Sequence, residues 1–415
     1  MNIELVTIGT ELLLGLTVDT NSAEIARHLA ARGVRVTRRT SVADRGEEIR
    51  AAVKEALGRT GAVLTTGGLG PTRDDITKKV VADLFDAPLE FDAGVWDSLL
   101  ERFARLERKP AESNRSQAEV PRGATVLPNR WGTAPGLWLT GQPGLVIMLP
   151  GVPLEMRRLL EHEVLPRLAP PENRSVIRSL LVRTSGVPES SLAEQIGDIE
   201  SEIEPITLAY LPGLEGVDLR LSAWELAPEE ADRRLGSAAR LLRERAGNHV
   251  YGQGESDLAE LVLDGARARG LRLGVAESCT GGLLGARLTE VPGSSDIFMG
   301  GVIAYHNAIK MELLGVPEAT LAEHGAVSEP VARAMAEGAV KRLGVSAALS
   351  VTGVAGPGGG TPEKPVGTVW VGCALGGVVE TRRSRFAGTR HEVRARAAQA
   401  ALLLLYRKLS AGPVS

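Results

Sequence analysis

The chain has 415 residues, of which 43% are hydrophobic and 3% aromatic; one ordinary domain core does not hold so many, and two or three domains are expected. Its formal net charge of -3 excludes the broad basic face that sequence-independent nucleic-acid binding needs. Two cysteines, Cys279 and Cys373, are too few for a disulfide framework or a zinc site, which fits a reducing, cytoplasmic setting.

The opening run "MNIELVTIGTELLLG" lacks a basic region ahead of its apolar residues, and Glu4 and Glu11 interrupt it, so it reads as a strand rather than a signal peptide. No later stretch approaches the ~18 apolar residues of a membrane span, and no membrane partner is expected. From residue 3 to about 165, β-rich runs alternate with amphipathic segments: "IELVTIG" then 21–32, "VRVTRRT" then 46–58, "AVLTTGG" then 75–85, and "GLVIMLPG" then 153–162. That alternation predicts a mostly parallel sheet with helices on both faces, with ligands at the carboxyl ends of its strands.

Pro166, Pro170 and Pro171 stop the pattern within "RLAPPENRS", a linker composition. A small unit follows: strand "VIRSLLVRTSG", helix 189–200, strands "ITLAYLP" and "GVDLRLSAWE", and a helix from Pro228 to Arg245. Its turns carry few chemically active groups, so it reads as a spacer or dimerisation module. Beyond "GNHVYGQGESD", where Ser256 or Asp257 caps the next helix, alternation resumes. Strands are expected over 271–276, 299–305, 347–352 and 366–375, with helices from 281 and over 307–314, 330–343 and 389–408. The predicted fold class is therefore α/β: two separate three-layer, mostly parallel-sheet domains, 1–168 and 250–415, joined by a small α+β domain over 172–247.

"LRLGVAESCTGGLLGARL" reads as strand, sharp turn and helix, with Ser278, Cys279 and Thr280 at the turn and Gly281 and Gly282 opening the helix. Unpaired N–H groups at a helix start attract an oxyanion or a phosphate, and a hydroxyl placed there gains an oxyanion hole. Either Ser278 or Cys279 can be the reactive atom, and Ser278 can equally be a simple cap. "GGVIAYHNAIKMELL" brings Tyr305 and Lys310 to the same sheet edge, and "LSVTGVAGPGGGTPEKPVGTVW" ends a third strand at Thr352 in a glycine-rich loop that includes Gly353 and Gly356. No Gly-Lys-Ser/Thr follows, so this is not a nucleoside-triphosphate loop. A serine hydroxyl needs a base, and no histidine stands in a recognisable motif to supply one. Lys310 can serve if burial lowers its pKa, as an arginine cannot. Only eight of the 48 basic residues are lysine, so a lysine here carries information.

In the N-terminal part, "GTELLLGLTVDTNS", "VAD", "TTGGLGPTRDDIT" and "LPGVPLEM" gather Glu11, Asp19, Asn21, Asp44, Asp74 and Asp75 with Gly67, Gly68, Gly70, Pro150 and Gly151 near strand ends. Backbone donors beside carboxylates suit a pyrophosphate with a divalent cation. Asp74 and Asp75 also suit plain capping of the next helix.

"AESCTGG", "YHNAIK", "HGAVSEPV" and "SVTGVAGPGGGTPEKPVGTVW", and with them the interval from about 255 to 410, resemble the CinA C-terminal family, whose characterised members hydrolyse the amide of nicotinamide mononucleotide. The resemblance implies a Ser-Lys-type amidase with Ser278 as nucleophile, Lys310 as general base, Tyr305 as a hydrogen-bonding partner and Cys279 as a bystander. It implies substrate contacts from Thr280, Gly281, Gly282, Thr352, Gly353 and Gly356, and no cofactor at this site. The first half resembles the molybdopterin-binding fold family and, more closely, the CinA N-terminal domain, in which cleavage of ADP-ribose has been described. There the resemblance implies nucleotide contacts from Glu11, Asp19, Asn21, Gly67, Gly68, Gly70, Pro150 and Gly151. It also implies a divalent metal of the Mg type on Asp44, Asp74 and Asp75, with a monovalent cation as a further option.

The middle segment resembles that family's KH-type insert, but "TSGVPESS" lacks a basic GXXG clamp, so no direct nucleic-acid binding is expected. A bifunctional pyridine-nucleotide recycling hydrolase follows as the leading expectation. The alternatives are a non-catalytic nucleotide sensor in competence or repair, and a molybdopterin-handling or adenylyl-transferring N-domain. A homodimer is expected too, because the consecutive leucines of "ALLLLYRKL" exceed the one face that a surface helix buries.

Overall fold

The structure, a computed structural model, describes residues 1–168 and 176–411. Pro170 and Pro171 of the expected linker lie outside the described residues. The chain divides into two compact units, Met1–Arg178 with Ala223–Arg233, and Ser179–Ser222 with Arg234–Ser415.

The first unit runs β1 (Asn2–Ile8), α1 (Thr10–Leu13), α2 (Thr20–Ala31), β2 (Arg35–Val42), α3 (Gly46–Thr60), β3 (Ala62–Thr66), α4 (Thr77–Leu84), β4 (Leu89–Phe91) and α5 (Ala93–Arg105). It continues through β5 (Glu119–Pro121), β6 (Thr125–Leu127), β7 (Gly136–Gly141), β8 (Gly144–Leu149) and α6 (Pro153–Leu159). Its six-stranded sheet has the order β2-β1-β3-β8-β7-β6. The first four strands are parallel and the last two pairings antiparallel. Alternation along β1 sets the layers: Ile3 and Leu5 join Ile25, Leu29 and Leu159 in one core, whereas Val6 and Ile8 join Ile49 and Val53 in the other. Glu4, inside this buried strand, is paired bidentately with Arg59 at 2.8 Å, which explains an acid where the pattern asks for an apolar residue. The β4–β7 stretch has no counterpart in the expected strand-helix alternation, because its strands are as short as three residues.

A four-stranded sheet follows in the order β10-β11-β9-β12, from β9 (Val176–Thr184), β10 (Thr207–Pro212), β11 (Val217–Leu226) and β12 (Val250–Gln253). The helices between them are α7 (Glu189–Ile196), α8 (Ile199–Ile203) and α9 (Pro228–Ala246), so the single expected helix 189–200 is two, broken at Gly197 (φ 67°).

The remainder runs α10 (Leu258–Ala268), β13 (Leu273–Glu277), α11 (Leu283–Thr289), β14 (Phe298–Ile303), α12 (Asn307–Leu314), α13 (Glu318–His324), α14 (Glu329–Leu343), β15 (Ala347–Gly353), β16 (Thr368–Leu375), β17 (Val378–Arg385) and α15 (Arg390–Ser410). The sheet order is β14-β13-β15-β16-β17, with β14, β13 and β15 parallel and the last two pairings antiparallel. Asp257, rather than Ser256, caps α10 by accepting from Ala259 N–H at 2.7 Å.

The leucine run needs a correction. Leu402, Leu403, Leu404 and Leu405 are all buried, packing with Val275, Leu349 and Val371 in the core of their own domain. Because α15 is sandwiched between the sheet and α10, more than one of its faces is covered, and the run gives no reason to invoke a second copy. The exposed large hydrophobics stand elsewhere: Leu13, Leu14, Leu16 and Val18, at 52%, 68%, 76% and 80% exposure, follow β1.

Candidate active site

The carboxyl ends of β13, β14 and β15 build the C-terminal site. β13 ends at Glu277, and the turn 278–282 is possible because Gly281 and Gly282 take φ of 58° and 95°. Ser278, the first turn residue, is 8% exposed, with its N–H held by Val351 O at 2.9 Å. β14 ends beside it, and α12 begins at Asn307 with His306 as its cap, the ring Nδ1 accepting from Ala308 N–H at 3.2 Å. One turn into α12, Lys310 points back under the sheet edge and is 1% exposed.

Lys310 Nζ lies 3.1 Å from Ser278 Oγ, 2.8 Å from Ala304 O and 3.1 Å from Tyr305 O. No carboxylate pairs with it among the described residues, and burial holds its pKa below the usual lysine value. Nζ thus meets three oxygens, two carbonyls that accept from it and the serine hydroxyl; once it has lost a proton, the two remaining N–H groups can stay on the carbonyls and the lone pair can take the hydroxyl proton. Cys279 is 5% exposed, and burial pushes its thiol up to about 11, so it is a thiol near neutrality and a poor nucleophile.

The helix start behaves differently from the sequence expectation. The carboxylate of Glu277, 1% exposed, accepts from the N–H groups of Gly282, Leu284 and Gly285 at 2.8–3.1 Å. The positive end of α11 is therefore occupied from within, and an incoming anion does not find those donors free. Among the described residues the N–H groups of Cys279 and Thr280, the two residues that follow Ser278 in the turn, donate to no other backbone carbonyl. Thr280 Oγ1 is buried and also lacks a partner among the described residues. Sequence reading passed over Glu277; an acid as the last residue of an apolar strand, five to eight positions ahead of glycine N–H groups, is the signal that was available.

Tyr305 reaches the lysine through its carbonyl, while its ring is 61% exposed and its hydroxyl accepts from Arg390 Nη2 at 3.0 Å. Arg390 also donates to Gly356 O at 2.8 Å, and Arg394, one turn along α15, donates to Thr280 O. Two guanidiniums thus border the site from a helix to which the sequence reading gave a pairing role but no role in catalysis. Thr352 Oγ1 donates to Ala326 O at 2.7 Å and so holds the end of β15, and Gly353 is pressed against Thr368 and Val369, where a Cβ has no room.

In the first unit, Asn21, Gly67, Pro150 and Gly151 come together. Asn21 Nδ2 donates to Thr66 Oγ1 and Gly151 O, Thr66 Oγ1 donates to Pro150 O, and Gly67 N–H donates to Leu149 O. Asn21 Oδ1 is buried with no partner among the described residues. Gly67 (φ 110°) lies so near Ile8 O, 2.1 Å from an added Cβ, that no side chain fits. The acids do not converge. Asp44 accepts from Thr10 N–H at 2.8 Å and from its hydroxyl at 3.0 Å, Asp75 accepts from Thr72 at Gly70, and Asp19 caps α2 through Ser22 N–H at 2.9 Å. Among the described residues no group of three or more His, Cys, Asp or Glu side chains is placed to hold a metal ion. Asp44, Asp74 and Asp75 therefore do not fit a three-carboxylate cation cage, because Asp44 ties the end of β2 to the start of α1 and Asp75 braces its own loop. Glu11 stays exposed beside Gly9.

No helix among the described residues is long and apolar enough to cross a membrane. Residues 4–170 match the model of a probable molybdopterin binding domain, 179–252 that of the damage-inducible protein CinA KH domain, and 255–409 that of the CinA C-terminal domain. A CinA-like protein of Gemmatimonas aurantiaca is 53% identical, covering 97% of this chain and 95% of the relative, and one of Salinibacter ruber is 44% identical over 93% and 94%. Among solved structures, a CinA superfamily protein of Klebsiella pneumoniae is 39% identical, covering 37% of this chain and 99% of its own, with a TM-score of 0.36. With the Gemmatimonas aurantiaca and Salinibacter ruber relatives matched along nearly its whole length, the chain belongs to the CinA family.

Proposed function

We propose that the C-terminal domain is a serine amidohydrolase that removes the amide of nicotinamide mononucleotide, with Ser278 as nucleophile and Lys310 as its base. The contact that carries this reading is the 3.1 Å approach of a buried amine with lowered basicity to a serine hydroxyl, with both flanking carbonyls orienting the amine. Lys310 takes the proton as Ser278 Oγ bonds to the amide carbon, and the N–H groups of Cys279 and Thr280 receive the oxyanion. Collapse breaks the C–N bond, and nitrogen leaves as ammonia with the proton from Lys310. Water, deprotonated by the same amine, then attacks the acyl ester, yielding nicotinate mononucleotide and free serine. Arg390 and Arg394 border the site and supply charge for the substrate phosphate. Incubating the full chain with nicotinamide mononucleotide and measuring ammonia tests the reading; no ammonia from a folded protein, across neutral to alkaline pH, would refute it.

We also propose, on the likeness of residues 4–170 to the molybdopterin-binding family and the CinA N-terminal domain, hydrolysis of ADP-ribose to AMP and ribose 5-phosphate in the first unit, where the buried acceptor Asn21 Oδ1 beside Gly151 is free for a hydroxyl of the ligand. A magnesium-type ion is commonly held by one or two carboxylates plus substrate phosphates, so a preformed cage is no requirement. Release of AMP from ADP-ribose, with and without chelator, is the measurement.

A further inference from the structure

Within the second unit, a cleft of about 600 Å³ opens between the turns 185–189 and 212–217 on one side and the β17–α15 corner on the other. Its volume falls in the range of small-molecule sites. Three arginines, Arg382, Arg385 and Arg396, are among its lining residues, and none of the three forms an ion pair with a carboxylate among the described residues, although Arg396 donates to Ala387 O. Two acids share the lining. Glu215 is already engaged by Arg183 at 2.9 Å and Arg287 at 3.2 Å, which leaves Glu189 as the one acid facing three positive charges.

A second observation points to a ligand. Gln399 is 2% exposed and lines the cleft, and its Oε1 accepts from Arg287 at 2.7 Å, yet its Nε2 has only a 3.5 Å contact with Ser185 Oγ. A buried amide donor so poorly satisfied costs free energy unless an acceptor arrives. Phe386, Val187, Leu214 and Leu403 supply an apolar wall suited to a ring.

We infer that this cleft is a binding site for a phosphorylated small molecule of mononucleotide size, its phosphate held by Arg382, Arg385 and Arg396 and its ring by the apolar wall. The site is separate from the Ser278 turn but adjoins it through the chain. Phe386 N–H donates to Gly367 O, Gly367 N–H to Val354 O, and the loop from Val354 reaches Gly356, which Arg390 holds. α15 presents Arg390 and Arg394 to the amidase site and Arg396 and Gln399 to the cleft.

The test is hydrogen exchange on the full chain with three probes: AMP, inorganic phosphate and adenosine. AMP is expected to protect segments 185–189 and 382–389, inorganic phosphate to do so more weakly, and adenosine not at all. The Arg382→Ala/Arg385→Ala double variant should bind AMP at least about tenfold more weakly at this site, since each lost charge-assisted hydrogen bond matters on that scale. Both side chains are exposed, so folding is not at risk, and Arg385→Glu gives an independent second variant. Equal protection in wild type and both variants overturns the proposal. So does AMP protection confined to the Ser278 turn or to the first unit.

Discussion

At the end of β13 the acid lies inside the strand, whereas after β1, β2 and β3 the acids lie beyond it. Glu277 folds inward and saturates three N–H groups, while Asp44 reaches across to Thr10 at the start of α1 and Asp75 ties Thr72 in its own loop. The two α/β halves use the same strand, glycine turn and helix start, yet the first keeps these acids at the rim and the second buries an amine against a hydroxyl. A buried, unequal pair reads as chemistry because its cost has no structural return. A rim of loop-bracing acids reads as scaffold.

The largest effect that can break this contrast is at Ser278. Ser278→Ala should lower ammonia release by about 10³-fold or more, while Cys279→Ala keeps most of it, because the buried thiol is un-ionised. If Cys279→Ala is the inactive variant, the nucleophile is the sulfur. Lys310→Arg should cost about 10²–10⁴-fold, nearly as much as Lys310→Ala, since a guanidinium keeps charge without a removable proton.

The pH profile sharpens the same point. Since burial lowers the pKa of Lys310, activity should rise with pH on a limb whose midpoint lies below the ordinary lysine value of 10.5. Stability should move the same way. The folded state binds fewer protons than the unfolded one between the two pKa values, so this lysine's cost to stability shrinks as pH rises through that window. Urea unfolding of wild type against Lys310→Met at several pH values measures it, and parallel curves would remove the lysine from the account.

Glu277→Gln probes the inward acid. It keeps the shape but withdraws the charge from three N–H groups, and should cost about 1–3 kcal/mol in chemical denaturation. No change in midpoint would mean that the helix start is satisfied by other means. On the N-terminal side the expected effects are smaller. Asp74→Asn should slow ADP-ribose cleavage by about tenfold without touching ammonia release, whereas Asp75→Asn should also loosen the 72–75 turn. Equal loss of both activities would contradict independent sites. The smallest effect concerns self-association, which we propose to involve the exposed Leu14 and Leu16. Leu14→Ser/Leu16→Ser should then shift a light-scattering mass toward that of one chain, 43.9 kDa. A wild type already at that mass ends the idea.

Much of the architecture was legible because strands with continuous apolar runs, such as "AVLTT" and "AALSV", announce buried parallel positions. Ser278 and Lys310 were legible through residue type at strand ends. Glu277 was passed over, because an acid at the end of an apolar run looks like a plain strand terminus, and its only mark in the sequence is the pair of glycines, Gly282 and Gly285, whose N–H groups it takes. Arg390 and Arg394 were hidden by a different cause: in a chain rich in arginine, helical arginines look like solvated surface. The leucine run misled because periodicity states how many faces are apolar, not which neighbours cover them.

The saturated start of α11 bears on how the reaction ends. An amide is neutral, but its hydrolysis leaves a carboxylate at the point of attack, where a bare helix end would grip the new charge. Here Glu277 already holds those donors, so the acid formed meets a turn with few free donors and a nearby buried negative group. On the amidase function proposed above, discharge of product is thereby eased, and nicotinate mononucleotide should inhibit ammonia release only at concentrations well above the KM for the amide.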